Sequence, residues 1–135
     1  MIVSNKDLND DMLNSLKELL DKDISPKSAF DLLKITSVLE DLVNNKNKVH
    51  SKILEKYAEV DPTDSNKMII KKDLVDKYKN DVNELMSIKH EIGIDKLKVD
   101  DLNLSENIKT KIIGSLKFLF EIELPTVTPL EQSNN

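Results

Sequence analysis

The chain has two imidazoles, His50 and His90, and no cysteine. A histidine acts as a general base or a metal ligand only where other groups converge on it. These two fall in different predicted helices. In an antiparallel register His50 is expected to face Asp81, and His90 to face Asp41, each as a surface imidazole beside one carboxylate. Asp61-Pro62-Thr63-Asp64-Ser65-Asn66 has the acidic rhythm of a calcium loop. It carries Asn66 where that loop needs glycine and Lys72 where it needs the closing glutamate, so turn chemistry is the better reading. Asp100-Asp101 precedes a predicted helix and reads as an acidic turn. With two glycines in 135 residues there is no phosphate-cradling loop, and GxGxxG, GxSxG and HExxH are absent. The expectation is a protein that is not an enzyme and holds no cofactor or metal.

The backbone that must position these groups is aliphatic. Hydrophobic residues make up 39% of the chain, aromatic residues only 4%, and tryptophan is absent, so Leu, Ile, Val and Met must fill one core. The charged fraction of 33% does not reach the disorder regime at that apolar content. Scarce Gly and Pro favour long helices over a turn-rich β fold.

All 20 basic residues are lysine, and the net charge is −5. Without arginine there is no bidentate fork for phosphates or guanine edges, and the charge opposes a polyanion. No direct nucleic-acid contact is expected. Residues 1–25 carry three Lys against six Asp and Glu, and residues 118–135 carry three Glu and no base. Acidic ends are in the main a solubilising surface. No apolar run approaches the ~20 residues that span a bilayer. The opening MIVSNKDLNDD lacks the basic-then-apolar pattern of a secretory signal. No membrane association is expected, and synthesis in the cytoplasm is.

Periodicity predicts a mainly α fold. An apolar start at Met1–Val3 suits a strand. A first helix over about 7–21 puts Leu8, Met12, Leu13, Leu16, Leu19 and Leu20 on one face. Ser25-Pro26 pairs an N-cap with a proline at the first helical position, where no donor is needed. The second helix follows from Pro26 to about Ala58. Its seam, Leu32, Ile35, Leu39, Leu42, Lys46, Val49, Ile53, alternates three and four. Pro62 enforces a turn in 59–66, and Met68–Ile70 is expected to be extended. A third helix from Asp73 to Glu91 repeats the heptad spacing through Val75, Tyr78, Val82, Leu85, Lys89 and Ile92. Together they predict an antiparallel, coiled-coil-like helical hairpin over 26–91. Its register sets Ile53 near Tyr78 and Val49 near Val82. Gly93 ends the third helix, and Ile92 to Val99 read as a short strand able to pair with Met1–Val3 in a minor two-stranded element. Ser105 caps a fourth amphipathic helix from Glu106 to about Ile122. One domain over 1–123 and a flexible tail over 124–135 result.

Two surfaces are candidates for binding. Phe118, with Ile122 and Leu124, sits off the apolar stripe of the last helix, either as an exposed strip or covered by the tail or the hairpin. The hairpin tip, with Pro62 and Asp64, is the other. The residues leave open which of the two binds, and leave homo-oligomerisation open as well.

The order of features also carries a likeness. Asn5-Lys6-Asp7-Leu8 is followed by Leu16…Leu19-Leu20, then by Ser25-Pro26-Lys27-Ser28-Ala29-Phe30-Asp31-Leu32-Leu33-Lys34. A long charged helix ends in Leu54-Glu55-Lys56-Tyr57. After a variable turn come Asn83-Glu84-Leu85-Met86, Glu91-Ile92…Ile94…Lys96-Leu97, Asp101-Leu102 and a closing Phe118-Leu119-Phe120-Glu121. Over residues 1–123 this resembles an uncharacterised family of small helical proteins encoded by tailed phages and prophages of low-GC Gram-positive bacteria. The middle turn departs from the family's glycine-containing hairpin, having Pro62 instead. The resemblance implies phage infection as the setting and transfers no site residues. It makes a phage structural protein the expected partner, with the chain as a minor virion component or assembly factor in the host cytoplasm or on the virion. The alternative is a phage inhibitor of a host enzyme such as a defence nuclease.

Overall fold

The computed structural model describes residues 1–102 and 104–121, apart from the side chains of Val99, Asp100, Ile112 and Ile113. Among the described residues the fold is mainly helical, with three small two-stranded sheets. Ile2–Ser4 (β1) leads through a 3-10 turn at Asn5–Asp7 into Asp10–Leu20 (α1). The cap of α1 is Asn9, whose side-chain oxygen accepts from Met12 N, so the helix starts three residues later than the apolar spacing predicts. Ser25 caps the 32-residue helix Pro26–Tyr57 (α2), accepting from Ser28 N, with proline in the first turn.

Beyond α2 the structure departs from the expected turn. Ala58–Asp61 (β2) and Asp64–Ile70 (β3) form an antiparallel hairpin closed by Pro62-Thr63. The β-branched residues Val60, Ile69 and Ile70 suit a pleated strand better than a loop. Proline cannot adopt the positive φ of the turns that best match strand twist. The register shift between Val60 and Asp61 takes up the mismatch. A 3-10 turn at Lys72–Leu74 opens Val75–Met86 (α3).

The third helix therefore does not run to Glu91. Lys89–Glu91 is a strand (β4), antiparallel to β1 with Val3 opposite His90. The reason is a change of period. His90 and Ile92 alternate toward the core, and the backbone of Asn5 and Met1 pairs with Ile88 and Ile92. The expected strand pairing thus falls on residues just before Ile92, not after it. Leu97–Lys98 (β5) instead pairs in parallel with Phe120–Glu121 (β6). Glu106–Ser115 (α4) stops short of Ile122. The turn that follows lets Leu116, Leu119 and Phe120 all enter the core, and Leu119 O accepts from Leu97 N.

The core joins β1, α1, the first half of α2 and the 92–120 segment. Val3, Leu8, Met12, Leu16, Leu19, Leu32, Ile35 and Leu39 are fully covered there. Along α2 the predicted seam is buried as far as Leu39; beyond it Val43 is buried in place of the partly covered Leu42, and Val49 is 44% exposed. The last turns of α2 carry α3 instead. Tyr57 and Tyr78 meet edge to face at 6.3 Å, and Tyr57 donates to Asp81 at 2.7 Å.

Candidate functional site

The chemistry-bearing residues separate into a polar node, a turn and a set of open surfaces. At the node, Asn5 is buried where the first 3-10 turn meets β4 and α3. Its Nδ2 donates to Leu85 O at 2.8 Å, which leaves Oδ1 to accept from His90 Nε2 at 2.6 Å. Lys46 Nζ donates to Asn5 O at 3.2 Å and also to Leu8 O. His90 is thus held by an asparagine rather than beside Asp41, and it holds a segment in place. His50 Nε2 lies 3.4 Å from the Tyr78 hydroxyl, because Tyr57 and Lys56 occupy Asp81. Neither imidazole has the convergent acids and donors of a base or a metal ligand. Among the described residues, no group of three or more His, Asp or Glu is placed to hold a metal ion.

Asp61 and Asp64 organise the hairpin turn. Asp61 Oδ1 accepts from Thr63 N at 2.8 Å and from Thr63 Oγ1 at 2.7 Å, while Asp64 Oδ1 accepts from Asn66 N at 3.0 Å. The Thr63 backbone bond, then its hydroxyl, hold the Asp61 carboxyl below its ordinary range. Both carboxylates serve their own turn, with Pro62 exposed between them.

The two candidate binding surfaces fare differently. Phe118 is partly buried and packs against the core cluster. Ile122 and Leu124 lie outside the described residues, so of that strip only Phe118 is placed. The hairpin is the more open surface. Val60 and Met68 stand opposite one another across β2 and β3, and are 54% and 61% exposed. Within the expected tip of residues 58–73, Pro62 and Asp64 are the named candidates, and Val60 and Met68 are the residues the structure adds. Their signal is the period-two alternation of Ala58 with Val60 and of Met68 with Ile70.

A cleft of about 480 Å³ lies between the first turns of α2 and residues 93–102. Lys27, Lys34, Lys96 and Lys98 share it with Asp31 and Asp95. A second, of about 590 Å³, lies beside Phe118, with Lys6, Asp11, Lys96 and Lys117 on its walls. Both mix the two signs of charge on open surface, an arrangement that selects neither an anion nor a cation.

Fold and surface define a mainly helical protein with a β-hairpin at one end of its longest helix. No helix among the described residues is long and apolar enough to cross a membrane. No protein family, no curated protein and no solved structure matches the chain.

Proposed function

We propose that this is a non-catalytic protein–protein interaction protein of a tailed phage, acting as a minor virion component or assembly factor. In this reading α2 and α3 form a rigid, coiled-coil-like hairpin that serves as a spacer and presents the β-hairpin to a phage structural protein. One observation carries the proposal: Val60 and Met68 form an open apolar pair at the end of that spacer. A two-stranded hairpin is marginal in water on its own, and an apolar patch on it is the usual mark of a surface that meets a partner. The protein would act in the host cytoplasm or on the particle.

The experiment is a pull-down of tagged protein from infected cells, set beside a Val60→Ser, Met68→Ser double variant. Capsid, portal or tail proteins held by the parent and lost by the variant are the expected result. Retention unchanged in the variant overturns the hairpin as the docking element. A second reading, inhibition of a host enzyme, is favoured by the exposed acids Asp10, Asp11, Asp21 and Asp23 at the two ends of α1. It gains if a single host enzyme is captured and the protein is absent from purified particles.

A further inference from the structure

The solvent side of α2 carries a second heptad pattern, made of polar residues. Lys34, Ser37, Asp41, Asn44, Lys48 and Glu55 are all exposed and fall on one stripe, at intervals of three, four and seven. Its charges alternate at seven-residue steps: Lys34 positive, Asp41 negative, Lys48 positive, Glu55 negative. Read backwards, the same stripe gives negative, positive, negative, positive. Matched over its full length, the pattern is complementary to itself only when reversed.

We propose that α2 pairs with α2 of a second copy, antiparallel about a two-fold axis between Asn44 and Asn45. This places Lys34 opposite Glu55 of the second copy and Asp41 opposite its Lys48, each pair occurring twice. A parallel pairing in register would set every charge against its like. The axis falls on two asparagines, side chains that hydrogen-bond to one another without apolar packing. Phe30, 63% exposed, comes opposite Glu59 of the second copy, at the root of its hairpin. A helix of 32 residues is about 48 Å long, so the paired stripes run along most of that length. Charge complementarity selects a second copy because no other chain is bound to present the same reversed stripe. The arrangement sends the two hairpins to opposite ends of the pair, making the protein two-headed. It does not depend on what the hairpins bind.

The test is sedimentation velocity on the purified full chain, at concentrations on the order of 0.1 mM suited to a weak dimer. A dimer is expected at about 50 mM NaCl, shifting toward monomer at about 500 mM as the charges are screened. Asp41→Lys and Lys48→Asp should each weaken self-association tenfold or more. An equimolar mixture of the two variants should restore it, since each new charge then faces its opposite. Circular dichroism checks that the variants keep their helicity, as both sites are exposed. The proposal is overturned by a chain monomeric at both salt concentrations. It is equally overturned by variants that associate like the parent, or by a mixture no stronger than its components.

Discussion

A buried asparagine has an amide and a carbonyl to satisfy, and Asn5 satisfies both across the fold. It links the end of α3 through Leu85 O, and β4 through His90, while its own carbonyl accepts from Lys46 on α2. Three elements distant in sequence meet at one residue. Asn5→Ala would leave the His90 Nε2 proton without its acceptor and take from the Leu85 carbonyl its side-chain donor, so that it keeps only backbone partners. The expected loss is about 1–3 kcal/mol, read as a lower urea midpoint with unchanged slope. None of this is legible in the sequence. An Asn in an Asn-Lys-Asp stretch looks like turn material, and Lys46 looks like a flaw in a heptad seam. Their partners lie dozens of residues away, and local patterning is blind to that separation.

At the scale of elements, α1 and α4 are tied at their exposed edge by Glu18 and Lys111, whose Nζ lies 3.0 Å from both carboxylate oxygens. The Lys111 hydrogen bond, followed by its charge, holds the Glu18 carboxyl below its ordinary 4.5. A carboxyl lowered in the folded state adds stability that is fully present above pH 4.5. That contribution fades as pH falls through the lower, folded value. Lys111→Met should therefore raise the Glu18 titration midpoint in an NMR titration. It should leave the stability of the variant and the parent closest at acid pH. Which elements exist was readable where a cap and a period coincide, as at Ser25-Pro26 and along α2. It was misread where the period changes inside a predicted element. Residues 87–92 switch from helical to extended spacing after Ser87, whose hydroxyl donates back to Asn83 O as the helix ends. The last helix stops at Ser115, where a turn closed by Leu119 N on Leu116 O leads into the pairing of Phe120–Glu121 with β5. Of the hairpin, Met68–Ile70 is expected to be extended and lies in β3, while the rest is hidden for a related reason. Pro62 announces the turn, but Glu59, Lys67 and Asn66 dilute the β pattern around it.

At the scale of the molecule, burial is lopsided. The buried apolar residues of the core belong to β1, α1 and the turn between them, the first half of α2 and the 92–120 segment. Past Val43, α2 leans on α3 and then on an open hairpin. Leu39→Ala should destabilise by about 2–5 kcal/mol in a cooperative unfolding transition, because it empties a fully enclosed site. Val60→Ser should stay within about 0.5 kcal/mol in the same measurement. That contrast separates residues kept for folding from residues free to serve a partner, and it makes the hairpin variants clean probes of binding.

The pairing of Val3 with His90 closes a loop of 87 residues, the difference of the two numbers, and the β-hairpin lies inside it. Closure entropy grows only with the logarithm of length, by about 0.6 kcal/mol for each doubling. Ten further residues at Pro62-Thr63 would change that closure by only ~0.1 kcal/mol. The enclosed end of the chain is thus almost indifferent to how far the outer end extends. Reach at the tip can lengthen or shorten among variants of this chain while the clasp between its first and fourth strands stays as it is.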